Sequence, residues 1–278
     1  MFKRLLTLIL AASLLAACDV INQNAALRDQ LASLNLVIRD TASALGQLRS
    51  QLPQAVWVQL YRVEAVDENG NTTPLYDAGS NGEAVNLVSP SDVARLLESV
   101  TLPPGHYVRL NLVLATTVTV IENDGTSRNY TVPNTTPPDF TLPIDFTQPL
   151  NLAGGDIRTL ALNIDAQKLL DLLTASNDTL ALDQILSAED TPPDQLPGIE
   201  ARLDGTVVSV DVANGTFLLR RDGKPQVRVI LHSLAVIIDE KTNQSLTLAA
   251  VQAGDEVEVF GRFDSLNLLI EAVAVSVD

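Results

Sequence analysis

Few residues in this chain are suited to chemistry, and their spacing limits what they could do. There are two histidines, His106 and His232, and one cysteine, Cys18. A zinc centre needs a cluster of nitrogen and sulfur ligands, and these three residues do not form one in sequence. No G-x-S-x-G elbow, glycine-rich phosphate loop or H-E-x-x-H occurs. A Ser-His-Asp triad assembles in space rather than in sequence, but no motif supports one here. Carboxylates are plentiful. Asp139 and Asp145 flank FTLPI, and Glu256 and Glu258 alternate with Val257 and Val259. Paired acids can cleave glycosides or hold calcium. With both valines turned inward, Glu256 and Glu258 face water. DENGN (67–71) is similar to a calcium loop but lacks its spacing and its closing glutamate. The residues therefore point to no catalytic group, no metal and no cofactor. The expectation is a protein that is not an enzyme.

Cys18 has a different context. Lys3 and Arg4 precede an apolar run of 13 residues, Leu5 to Ala17. A membrane-spanning helix needs about 20 apolar residues, so the run has the length of a secretory signal core. Its end, Leu15-Ala16-Ala17-Cys18, resembles the lipobox of bacterial lipoproteins. That resemblance implies a signal peptide at 1–17, cleavage before Cys18 and acylation of the cysteine, with palmitate-type chains anchoring the protein. Each buried methylene contributes about 0.8 kcal/mol, and two or more chains hold a protein firmly at a bilayer. The implied placement is extracytoplasmic, in the periplasm or at the cell envelope. Asp19 resembles an inner-membrane retention signal, which leans the placement inward without excluding the outer membrane.

The mature chain would be 261 residues, Cys18 to Asp278, enough for two modest domains. It would carry 16 basic against 34 acidic residues, a net charge of −18. Such a balance repels nucleic acid and anionic headgroups. With 46% hydrophobic residues the chain can build cores, while 4% aromatics leave little for stacking-based binding.

The elements that would position these residues are mostly strands. Between 24 and 52 the reading is divided. Leu27, Leu31, Leu34, Ile38, Thr41, Leu45, Leu48 and Leu52 make a heptad seam, yet Leu34, Leu36 and Ile38 also suit one face of a strand. Residues 55–66, AVWVQLYRVEAV, read as a strand with Trp57 and Tyr61 on one face. Ser89-Pro90-Ser91-Asp92 looks like a helix start, and Val93, Leu96, Leu97 and Val100 would form its apolar face. Residues 106–121 alternate, with Val108, Leu110, Leu112, Leu114, Val118 and Val120 inward. Residues 133–149 read as a Pro- and Thr-rich loop around a short extended piece. Arg158 to Ile164 alternates with Leu160, Leu162 and Ile164 inward, and a short helix follows through 168–173. SAEDTPPDQLPG (187–198) has the composition of a linker. Beyond it, short strands recur at 206–210, 216–220, 226–231, 234–238, 256–260 and 270–277. VANG and RDGK form turns between the first three, which suggests a small barrel.

Several of these segments carry a family resemblance. LNLVIRD (34–40), the valine-rich strand 55–66 ending near Val63-Glu64, and VNL (85–87) come first. Leu102-Pro103-Pro104-Gly105-His106-Tyr107 and the Leu160 to Asp165 strand complete the set. Together they resemble a lipoprotein-associated domain of unknown function, number 4382. Asp40-Thr41-Ala42 stands where that pattern usually has a proline. The resemblance implies a β-sandwich of the immunoglobulin or transthyretin kind with short helices over 33–187, and it favours a strand for 34–39. GTVVSVD, NGTFLL, AGDEVEVFGRF and EAVAVSV, within 198–278, resemble a second family, domain of unknown function 5666, which implies an OB-like β-barrel. The expected organisation is a signal peptide at 1–17, a membrane-proximal linker at 18–32, the sandwich at 33–187, a linker at 188–197 and the barrel at 198–278. Neither resemblance carries a catalytic residue.

OB-like barrels often bind oligonucleotides or oligosaccharides. Residues 198–278 hold 7 basic and 12 acidic side chains, the wrong sign for a nucleic-acid groove. Phe217, Phe260 and Phe263 suit a core or a platform equally. The expectation is a non-enzymatic lipoprotein that is an interaction or scaffold module. Its partners would be the membrane, through the lipid anchor, and an envelope protein or polysaccharide, with no nucleic acid. Carbohydrate binding is the alternative.

Overall fold

A computed structural model of the chain describes residues 31–40, 51–88, 94–175, 178–192 and 198–278. Cys18, and the parts of the heptad seam at 24–30 and 41–50, lie outside the described residues. The strands are β1 (Ala32–Asp40), β2 (Ala55–Asp67), β3 (Thr72–Asp77), β4 (Glu83–Asn86), β5 (Ala94–Leu102), β6 (Gly105–Ile121), β7 (Ser127–Thr131), β8 (Asp139–Leu152) and β9 (Ile157–Ile164). After them come α1 (Ala166–Thr174), β10 (Leu186–Asp190), β11 (Ile199–Asp211), β12 (Thr216–Arg220), β13 (Val227–Asp239), β14 (Gln244–Leu246), β15 (Glu256–Asp264) and β16 (Leu269–Val277). The protein is mainly β. No helix among the described residues is long and apolar enough to cross a membrane.

Two sheets share the first core. One contains the run β10-β9-β1-β5, and the other contains β3-β2-β6-β7 with β4 on β2 and β8 on β6. Leu34, Leu36 and Leu160 from the first meet Val58, Leu60, Leu110, Leu112 and Leu114 from the second, all nearly or fully buried. β1 settles the divided reading where it is described. Residues 32–40 are a strand, parallel to β9 and antiparallel to β5. β9 is central, so Ala161 and Asn163 are buried as well as the expected Leu160, Leu162 and Ile164.

Three expectations for the segments before the barrel are corrected. The helix expected through Leu96, Leu97 and Val100 is strand β5 from Ala94 onward. Leu36 pairs with Glu98 while Val37 pairs with Leu96, so Leu97 is an extra residue, a β-bulge. One inserted residue breaks strict alternation and imitates a helical period. The segment read as a loop contains β8, which pairs with β6 over most of its length. Its prolines mislead because β8 hydrogen-bonds on one side only, a position that tolerates Pro143 and Pro149. In β6, a register shift between Tyr107 and Arg109 turns Tyr107 into the core in place of Val108.

β11, β12, β13, β16 and β15 close into a five-stranded barrel, because β15 also pairs with β11. The two expected strands at 226–231 and 234–238 are a single strand, β13, which leaves register with β16 between Leu231 and Val236. Two glycines permit the closure. A Cβ on Gly205 would lie 2.4 Å from the Arg220 carbonyl, and one on Gly261 would lie 2.2 Å from the Glu271 carbonyl. Only a residue without a side chain lets these strands approach so closely.

The barrel and the first sheet are continuous. β11 runs parallel to β5 through Ile199↔Ala94 and Glu200↔Arg95. Val37, Ala94, Leu96 and Ala161 accordingly pack into the barrel core with Leu203, Phe217 and Val259. The segment read as a linker at 188–197 begins inside β10.

Candidate functional site

The bulge in β5 does more than interrupt a ladder. It delivers Glu98, only 5% exposed, to the side where the barrel arrives. RDGK (221–224), read from the sequence as a hairpin turn, joins β12 to β13 and reaches this carboxylate. Arg221 Nη2 lies 2.8 Å from Glu98 Oε1, and the Lys224 ammonium bonds Oε2. The Ser99 backbone N–H donates to Oε1 at 2.8 Å. Arg221 Nε donates to the Asp204 carbonyl at 3.3 Å. A buried carboxylate is stable only when paired and hydrogen-bonded, and Glu98 has both.

A second polar link stands nearby. Asn35, fully buried in β1, donates through Nδ2 to the Ser265 carbonyl at 3.2 Å and accepts from Ser99 Oγ at 2.8 Å. Ser265 follows β15, so a second barrel turn grips the same sheet. Neither Asn35 nor Glu98 stood out in the sequence, because β1 also carries Ser33 and Arg39, and β5 also carries Arg95, Ser99 and Thr101.

A cleft of about 450 Å³ opens along this junction. Its wall includes Tyr76, Arg95, Glu200, Arg202, Glu258 and Phe260. Arg202 Nε bonds Glu258 Oε1 at 2.5 Å. The Tyr76 hydroxyl donates to Glu83. Burial, then the Glu83 hydrogen bond and charge, raise the Tyr76 phenol well above its ordinary range and keep it neutral. Arg95 Nη2 and Arg221 Nη1 are buried without a hydrogen-bond partner among the described residues. Buried polar atoms usually have partners, so two orphaned guanidinium nitrogens in one wall mark a polar site.

The sequence candidates are dispersed. His106 is exposed on β6 and contacts Asn151. His232 is on β13, and its Nδ1 accepts the Leu234 N–H at 3.2 Å. Asp145 pairs with Arg109 at 2.6 Å, while Asp139 starts β8 opposite Ala115. Glu256 accepts from Thr206 Oγ1 at 3.0 Å, and Glu258 reaches the cleft through its bond to Arg202. The Asp67 carboxylate of DENGN is occupied by its own turn, accepting from the N–H groups of Asn69 and Asn71, each at 2.8 Å. No group of acids, histidines or cysteines among the described residues is arranged to hold a metal. Trp57 and Tyr61 lie on the outer face of β2, apart from the cleft wall. The three phenylalanines divide: Phe217 and Phe263 are core, and Phe260 is 45% exposed at the cleft.

The family model described as a domain of unknown function, DUF4382, matches residues 32–183. The chain belongs to the DUF4382 family. The match runs from the start of β1 to the 3-10 turn at Leu182–Gln184, and so includes Arg95 and Glu98 but not the barrel. The DUF4382 motifs now have physical roles. Asn86 of VNL accepts the Val56 and Val88 N–H groups at 2.9 and 3.1 Å, pinning β4 to β2. The Tyr107 hydroxyl donates to the Pro103 carbonyl at 3.0 Å and locks the Leu102–Tyr107 turn. Asp165 caps α1 by accepting the Lys168 N–H. No curated protein and no solved structure matches the chain.

Proposed function

We propose that this DUF4382 protein is an extracytoplasmic bacterial lipoprotein, held to a membrane by acyl chains on Cys18. It acts as a non-enzymatic interaction module of the cell envelope. The observation that carries this reading is the order of basic residues, 13-residue apolar run and Leu15-Ala16-Ala17-Cys18. The net negative charge agrees, since it disfavours nucleic acid and leaves the protein soluble above the bilayer.

The finer fold reading belongs to the same proposal. A sandwich of the immunoglobulin or transthyretin kind is supported by one core shared between two sheets. An OB-like barrel, as in domain of unknown function 5666, is supported by the order β11-β12-β13-β16-β15 and its closing β15–β11 pair. Asp19 favours the inner membrane.

Metabolic labelling with a palmitate analogue tests the anchor. The wild-type protein takes up label and is cleaved before Cys18, while Cys18→Ser takes up none and accumulates uncleaved. Label or cleavage that survives in Cys18→Ser would refute the reading.

A further inference from the structure

We infer that the junction cleft binds a short neutral saccharide segment. This goes beyond the anchor and stands independently of it. The cleft, at about 450 Å³, has the size of a small-molecule site. Most charges in its wall are already committed: Glu98 to Arg221 and Lys224, Glu258 to Arg202, and Glu83 to Tyr76. Arg95 is left with an orphaned buried Nη2, and Glu200, its register partner across the β5–β11 junction, is exposed. Asp204, also exposed in the wall, adds a second acceptor beside Glu200, and a donor flanked by acceptors suits a group that both donates and accepts. Sugar hydroxyls do this, accepting from the guanidinium and donating to the carboxylate.

Phe260 supplies the apolar part. It lies on the outer face of β15, 45% exposed, in the register row of Arg202. A ring beside polar groups fits the C–H face of a pyranose. A peptide added as a strand would need a free sheet edge. Where β11 and β15 wall the cleft, they pair with each other from Glu200↔Arg262 to Thr206↔Glu256.

The test is calorimetric titration of the purified full chain. The neutral probes are maltotriose, cellotriose and N,N′-diacetylchitobiose at millimolar concentration, with digalacturonate and glucosamine as charged probes. At least one neutral probe should bind at 1:1 stoichiometry. Phe260→Ala should weaken it about tenfold through lost apolar contact. Arg95→Ala and Glu200→Gln should each weaken it about tenfold through a lost charge-assisted hydrogen bond. Trp57→Ala should leave it unchanged. Phe260 and Glu200 are exposed, so their variants fold and keep the test valid if Arg95→Ala does not. Binding by charged probes alone, binding by no neutral probe, or binding insensitive to both Phe260→Ala and Glu200→Gln would overturn the inference.

Discussion

Glu98 is the carboxylate on which the two parts of the molecule meet. It and Arg221 are almost fully withdrawn from water, and the Ser99 N–H and Lys224 complete the set around it. Removing one charge of such a pair leaves the other buried and uncompensated. Glu98→Gln should therefore destabilise the protein by about 3–5 kcal/mol, read as a lower denaturant midpoint. An unchanged midpoint would mean that the cluster is solvated and the junction rests on apolar contacts alone. The exposed Arg202–Glu258 pair is a contrast, since surface pairs typically contribute about 0–1 kcal/mol. Glu98 was hard to read from the sequence for a local reason. In ARLLESVTL the bulged Leu97 disturbs the alternation, and the stretch takes on the spacing of a helix face. Arg221 was hidden differently: RDGK has the composition of a solvent-facing turn, and only the barrel's position shows that it faces protein.

At the scale of elements, four strand ends and the turn after β6 use one device. Asp67, Asp124, Asp211, Asp239 and Asp264 each fold back on the turn that follows. The side chains of Asn71, Thr126, Asn214 and Asn267 hold four of these carboxyls below the ordinary value of 3.8, and the Thr242 N–H does the same for Asp239. Each group is bound in its charged form, so its folded pKa lies below its unfolded one. The stability it lends is complete above the unfolded value and disappears as pH falls through the folded one. Urea midpoints should thus be insensitive to these groups near neutrality and decline below about pH 4. Asp67→Ala should flatten part of that decline. The barrel glycines make a separate prediction. Gly261→Ala places a methyl against the Glu271 carbonyl and should cost about 1–3 kcal/mol or more, measured by thermal unfolding. The turns were legible, since DENGN, ENDG, VANG and RDGK carry their chemistry in their residue types. So was the barrel, whose strands alternate at even spacing. β8 was not, because its prolines speak against a strand unless its edge position is known.

At the scale of the whole molecule, the sequence suggested two bodies joined by a linker, and the structure joins them through a shared sheet. Ala94 and Leu96 belong by sequence to the DUF4382 part and by packing to the barrel core. No periodicity within 94–102 could reveal this, because the partner strand β11 lies about a hundred residues downstream. Shared packing of this kind favours cooperative unfolding. Fluorescence of Trp57, the single tryptophan, reports the second sheet, while far-ultraviolet circular dichroism reports the barrel as well. The two signals should give one coincident transition in urea; separate transitions would show that the junction does not couple the parts. The cleft also exists only at this scale, since Arg95 comes from one part and Phe260 from the other.

The central claim is that the mature molecule begins at an acylated cysteine. Mass spectrometry of the N-terminal peptide, released from protein purified out of membranes, tests it most directly. The account predicts a peptide starting at Cys18 and carrying a diacylglyceryl group on Sγ. A peptide starting at Met1, or an unmodified Cys18 thiol, would contradict it.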